Sequence, residues 1–140
     1  MKIFAFAATV ASILAPVIAQ TIDIGYPTDG TVFNPGQSVN AQILRPDSII
    51  GCTEVGIALA IDTCSNGTCP SPSDVLGSVL YSGPFKPTAH AQQGFYQNFT
   101  VQIPSGLNAG EAIFTLTHLC LLGAGPTPLL EYRNASVTIS

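Results

Sequence analysis

An all-β fold of two antiparallel sheets packed face to face is what this sequence predicts, and three observations carry the prediction. Beyond residue 19 the chain is poor in charge and rich in Val, Ile, Thr, Gly and Pro, the composition of strands and turns. Apolar residues alternate with small or polar ones at period two. Turn clusters, Pro27-Thr28-Asp29-Gly30, Asn34-Pro35-Gly36 and Asn108-Ala109-Gly110 among them, punctuate the chain at strand-length intervals.

The alternation is clearest from Glu54 to Asp62, where Val55, Ile57, Leu59 and Ile61 share one face and Gly56, Ala58 and Ala60 the other. From Phe95 to Ile103 the apolar face holds Phe95, Phe99, Val101 and Ile103, opposite Tyr96, Asn98, Thr100 and Gln102, and Pro104 ends the run. Further strands are expected over Ile22–Tyr26, Ser38–Leu44, Val75–Tyr81, Ala112–Leu122 and Leu129–Ile139. Strands at this spacing suit an immunoglobulin-like or fibronectin-like antiparallel β-sandwich of about seven strands, with a small barrel as the alternative. The longest irregular stretch, Ser82 to Gly94, contains Pro84, Pro87 and Gly94. Loops of that kind on rigid sandwiches are often where binding occurs.

Residues 1–19 have the plan of a cleavable secretory signal: Lys2, an apolar run from Ile3 to Leu14, then Val17 and Ala19 at the positions where signal peptidase needs small residues. The run is short and ends at Pro16, whereas a membrane span needs roughly 20 apolar residues. The C-terminal Ala135–Ser140 is too short for the hydrophobic tail of a lipid-anchor signal. The expectation is a single secreted domain over residues 20–140, extracellular, monomeric and without a membrane anchor. Its only cations are Arg45, Lys86 and Arg133, against eight acids. Nucleic acid is excluded on that balance, because phosphate binding needs basic residues clustered on one face.

Four cysteines in an oxidising compartment predict two disulfides, for which three pairings exist. Cys64 with Cys69 is favoured, since the Asn66-Gly67 between them lets the chain reverse tightly, and Cys52 then pairs with Cys120. In the loop-entropy picture the short bridge contributes about 2 kcal/mol and the long one about 4 kcal/mol. No metal or cofactor is expected, because Cys64 and Cys69 have no second ligand pair nearby. His118, in register with Phe114, Leu116 and Cys120, reads as a hydrogen-bonded core histidine beside a disulfide. No catalytic residues emerge. The acids sit mostly at turns and strand ends, neither histidine has a nucleophile near it in sequence, and Gln20 at the expected mature terminus rules out the N-terminal histidine that copper-dependent polysaccharide oxidation requires. The chain is read as not an enzyme.

Two or more of the three sequons, at Asn66, Asn98 and Asn134, are expected to carry glycans, since Asn98 and Asn134 fall on polar faces and Asn66 at a hairpin tip. Leu119, Leu121, Leu129 and Leu130 exceed what one inward strand face needs. With Phe85 of the Ser82–Gly94 loop, Leu121, Leu129 and Leu130 are the candidate partner-binding residues. The competing reading is that they fill the ends of the sandwich.

The segments Arg45-Pro46-Asp47-Ser48, Thr53-Glu54-Val55-Gly56-Ile57-Ala58, Cys69 through Phe85, Tyr96-Gln97-Asn98-Phe99-Thr100-Val101, Gly110-Glu111-Ala112, Thr117-His118 and Leu122-Gly123-Ala124-Gly125-Pro126 resemble, in order, the necrosis-inducing secreted protein (Nis1-type) family of fungal effectors. The resemblance covers nearly the whole of residues 20–140. It implies a secreted fungal protein that binds host plant proteins, namely receptor-associated immune kinases, and damps pattern-triggered immunity, with cell death provoked by some members; passage into host cells is left open by the sequence. It also implies that the Cys64 and Cys69 pair is the usual one and that Cys52 and Cys120 are additions. A structural or polysaccharide-binding cell-wall protein is the alternative, with Tyr26, Tyr81, Tyr96 and Tyr132 as stacking faces.

Overall fold

In the computed structural model, which describes residues 21–48 and 50–140, every regular element is a strand. The leader expected over residues 1–19 lies outside the described residues. The strands are β1 (Asp23–Tyr26), β2 (Thr31–Phe33), β3 (Ser38–Arg45), β4 (Cys52–Thr63), β5 (Ser78–Gly83), β6 (Thr88–His90), β7 (Gly94–Gln102), β8 (Gly110–Leu122) and β9 (Thr127–Ile139). They form a four-stranded sheet, β1-β3-β7-β6, and a five-stranded sheet, β2-β9-β8-β4-β5.

The apolar alternation closes the two sheets on each other. Val39, Ala41 and Ile43 of β3 and Phe99 and Val101 of β7 meet Ile57, Leu59 and Ile61 of β4, Phe114 and Leu116 of β8, and Val137 and Ile139 of β9 in one buried cluster. Apart from Ala41, each of these side chains contributes about 1.5–3 kcal/mol relative to exposure. Lettered in chain order as A, A′, B, C, C′, D, E, F and G, the sheets run A-B-E-D and A′-G-F-C-C′, an order shared with immunoglobulin domains. The hallmarks of antibody domains are missing: the chain has no Trp, and Cys52–Cys120 joins β4 to its neighbour β8 within one sheet.

The expected strands are present with small shifts, and two three-residue strands join them. β2 pairs parallel with β9, the one departure from antiparallel pairing among the named strands. Its position follows from the turn at Asp29-Gly30, which crosses from one sheet to the other: Gly30 N–H donates to Ser136 O at 2.8 Å, and Ser136 N–H donates to Asp29 Oδ1 at 2.8 Å. β6 divides the Ser82–Gly94 stretch, which is therefore not one irregular loop. β5 begins at Ser78 rather than Val75 because Gly77 sits at φ 70°, where a Cβ would lie 2.6 Å from the Asp62 side chain.

Candidate functional site

At one end of the five-stranded sheet the usual polarity of a sandwich is inverted. The ladder between β4 and β8 shifts register between Glu54 and Gly56, so that Glu54 pairs with Cys120, Gly56 with Leu119, and Val55 is the extra residue of a β-bulge. A bulge re-aims side chains. Here it turns Val55 outward, 51 % exposed, and Glu54 inward, correcting the expectation that Val55 continues the buried face of Ile57, Leu59 and Ile61.

On the outer face, Val55, Leu119, Leu130 and Pro84 wall a shallow groove of about 470 Å³ whose floor is Gly56, Ala58, Gly83 and Thr117. The floor is low because its side chains are absent or minimal, and the backbones come close: a Cβ on Gly56 would lie 2.9 Å from the Gly83 carbonyl oxygen. Pro84 is fixed by Tyr81, whose O–H donates to the Pro84 carbonyl at 2.7 Å. The lining is almost wholly apolar, with one exception. Thr117 Oγ1 is buried and has no hydrogen-bond partner among the described residues, a condition that calls for an explanation in a folded protein.

Behind the groove, inward side chains of β4, β8 and β9, joined by Arg45 of β3, form a chain of ionisable groups that is buried at its centre and reaches solvent at both arginines. Arg45 Nε lies 3.2 Å from Glu54 Oε1, Glu54 Oε2 lies 2.5 Å from His118 Nε2, His118 Nδ1 lies 3.2 Å from Glu131 Oε2, and Arg133 Nη2 donates to Glu131 Oε1 at 2.9 Å. Thr21 O–H also donates to Glu131. His118 is fully buried, with Phe85 edge-on against its ring at 6.1 Å. Burial raises the pKa of Glu131, but the hydrogen bonds from Thr21 and His118 and the charge of Arg133 outweigh it and hold the carboxyl below its ordinary 4.5. Arg45 belongs to the four-stranded sheet, so the chain of charges spans the sandwich and closes one end of its core.

The structure brings some of the expected residues together and separates others. Leu130 is exposed on the groove wall. Leu121 is half-buried on the same outer face, opposite Pro128. Leu129 sits opposite Cys120 and so belongs to the inward side, half-buried. Phe85, placed by the sequence reading at the partner surface, is 2 % exposed and packs on Phe99 and His118: it is core, because the chain after Gly83 folds back over the end of the sandwich. Val55, Gly56, Ala58 and Thr117 were not expected at a site, since strict alternation puts Val55 inside and nothing local announces the bulge. Cys52 bonds to Cys120 and Cys64 to Cys69, leaving no free cysteine among the described residues. Asn66, Asn98 and Asn134 are all exposed, Asn66 at φ 52° in the turn between Ser65 and Thr68. Of the tyrosines offered as stacking faces, Tyr26 is exposed. Tyr81 is tilted onto Phe99 in the core, and Tyr96 is covered by His90 stacked at 3.6 Å.

Fold and site together define a small, disulfide-braced β-sandwich with an apolar groove on the outside of one sheet and ion pairs sealed beneath it. The model of the Nis1 family matches residues 17–138, and the chain belongs to that family, a family of fungal effectors. No curated protein matches the chain.

Proposed function

We propose that this protein is a non-enzymatic secreted effector that binds a host protein through the groove of Val55, Ala58, Pro84, Leu119 and Leu130, with receptor-associated immune kinases of plants as the target class and suppression of pattern-triggered immunity as the outcome. Family membership supports the effector reading, and one structural observation supports the mode of action. An apolar, nearly flat groove framed by exposed Val55 and Leu130 gains little for the free monomer, and matches the apolar centre of a protein interface. The wall-polysaccharide alternative is the weaker reading, because Tyr81 and Tyr96 are already occupied by intramolecular contacts.

The test is affinity capture from plant tissue and direct binding to purified kinase domains, comparing the wild type with Ala58→Arg and Leu130→Ser. Both changes lie on the outer face, so the thermal midpoint should stay nearly constant. A central contact is worth about 2 kcal/mol, about 30-fold in Kd. Capture undiminished by either substitution would exclude the groove. Retention on chitin, glucan or cellulose without kinase binding would favour the wall role.

A further inference from the structure

The buried end of the sandwich holds a second set of groups that the groove does not use. The Sγ atoms of Cys52 and Cys120 and a ring nitrogen of His118 lie within 4.8 Å of one another. Glu54 adds Oε2 at 2.5 Å from His118 Nε2 and Oε1 at 3.9 Å from Cys52 Sγ. We infer that reduction of the Cys52–Cys120 bridge converts this pocket into a binding site for a thiophilic divalent cation of the zinc class, with Cys52, Cys120, His118 Nε2 and Glu54 as its ligands.

The chemistry balances with a low-molecular-weight thiol as reductant. Two such thiols give two electrons and two protons to the bridge and leave as their own disulfide, while Cys52 and Cys120 become thiols. The cation then replaces the two thiol protons and the proton held between His118 Nε2 and Glu54, and all three pass to solvent. Two sulfurs, one imidazole nitrogen and one carboxylate oxygen form a donor set that zinc takes in tetrahedral geometry. With metal–ligand bonds of about 2.0–2.3 Å, tetrahedral donors lie roughly 3.3–3.8 Å apart. Reduction frees the two sulfurs to separate to that spacing, the Glu54–His118 contact has to widen by about an ångström, and the other donors, within 4.8 Å, have to close by about as much.

The surroundings are built as a metal-binding histidine requires. A zinc-bound imidazole nearly always donates its other N–H to a carboxylate, a backbone carbonyl or water, which fixes the ring and the tautomer. His118 Nδ1 faces Glu131 at 3.2 Å, and Glu131 is in turn held by Arg133 at 2.9 Å and by Thr21, so that Nε2, now 2.5 Å from Glu54, is the nitrogen that turns to the cation together with that carboxylate. Arg45, 3.2 Å from Glu54, steadies the fourth ligand in the same way. His118 and Cys120 are fully buried, whereas the Glu54 side chain is 15 % exposed, so the path inward runs past Glu54. The other bridge, Cys64–Cys69, belongs to no such cluster among the described residues.

The experiment uses Cys64→Ser/Cys69→Ser protein, which retains the one relevant bridge, with the wild type alongside. After reduction by a phosphine and anaerobic removal of the reductant, cobalt(II) is titrated. One equivalent should give a sulfur-to-cobalt charge-transfer band and the intense visible bands of four-coordinate cobalt, zinc should abolish them, and the oxidised protein should show neither. His118→Gln should weaken binding at least tenfold, and Glu131→Gln, which touches only the orienting carboxylate, about 10- to 100-fold. Where reduction alone unfolds the chain, cobalt must restore the β-sheet circular dichroism together with the bands. The inference is overturned if the reduced protein binds cobalt no more tightly than the oxidised, if folding is not restored in that case, or if Cys52→Ser/Cys120→Ser protein binds as well as its parent after the same treatment. None of these outcomes bears on host-protein capture, so the two proposals stand or fall separately.

Discussion

Replacing Glu131 by Gln isolates the charge of the buried chain while keeping its shape. Glu131 is 7 % exposed and receives Thr21, His118 and Arg133 at once. Removing one partner of a buried ion pair costs about 3–5 kcal/mol, but the amide retains an acceptor oxygen, and Arg133, 22 % exposed, is partly screened by solvent. The expected loss is about 2 kcal/mol at neutral pH, or about 6–12 °C in thermal midpoint for a domain of this length. The pH dependence makes the test specific. Because the folded carboxyl titrates below 4.5, its contribution is complete above that value and is lost as pH falls through the lower, folded value. Thermal unfolding followed by circular dichroism should therefore show a constant gap between wild type and variant from about pH 8 to pH 5.5 and a closing gap below about pH 4. Equal midpoints at pH 7, or a gap of the same size at pH 3, would refute the assignment.

Phe85→Ala should lower stability by about 3–5 kcal/mol, since the ring fills the space between Phe99 and His118; a midpoint within about 2 °C of wild type would return Phe85 to the surface. Expressed through a eukaryotic secretory pathway, the protein should carry N-glycans on two or more of Asn66, Asn98 and Asn134, all exposed. Endoglycosidase treatment with Asn→Gln variants reads this by mass, and an unchanged mass speaks against it.

Most of the sandwich was legible because period-two alternation translates directly into buried and exposed faces wherever the ladder is regular. The strands from Ser38, Glu54, Phe95, Ala112 and Leu129 appear within a few residues of their expected limits. Both cysteine pairs follow from the Asn66-Gly67 turn and the pairing that remains. What stayed hidden depends on contacts between distant segments. β2 is three residues long and exists because Asp29 and Gly30 bind Ser136, and β6 because Thr88–His90 folds back on Gly94–Tyr96. Phe95, expected inside, is 42 % exposed because its partner Arg45 lies at the last rung of the ladder, past the apolar core. The reading of His118 as a hydrogen-bonded histidine beside a disulfide was sound, yet its partners Glu54 and Glu131 come from two other strands and no spacing in the sequence announces them.

The bulge at Val55 bears on whether the groove is a by-product of folding or a feature maintained for use. Along most of the five-stranded sheet the inner positions are apolar, as in Phe114, Leu116, Val137 and Ile139. At the bulged end each of three strands does the reverse: Glu54 in and Val55 out on β4, His118 in and Leu119 out on β8, Glu131 in and Leu130 out on β9. Stability alone would not select this pattern, because it desolvates three ionisable groups and exposes apolar side chains, and an isosteric apolar filling of such an interior is often neutral or stabilising. A local violation repeated in register on three neighbouring strands, with a bulge needed to bring the third into phase, is the kind of inconsistency that folded proteins reserve for function. The outward half supplies the groove and the inward half supplies the charged pocket behind it. Replacing the interior by hydrophobes while preserving the bulge should therefore raise stability and leave the groove standing, and a loss of the groove in that variant would show that the two halves cannot be separated.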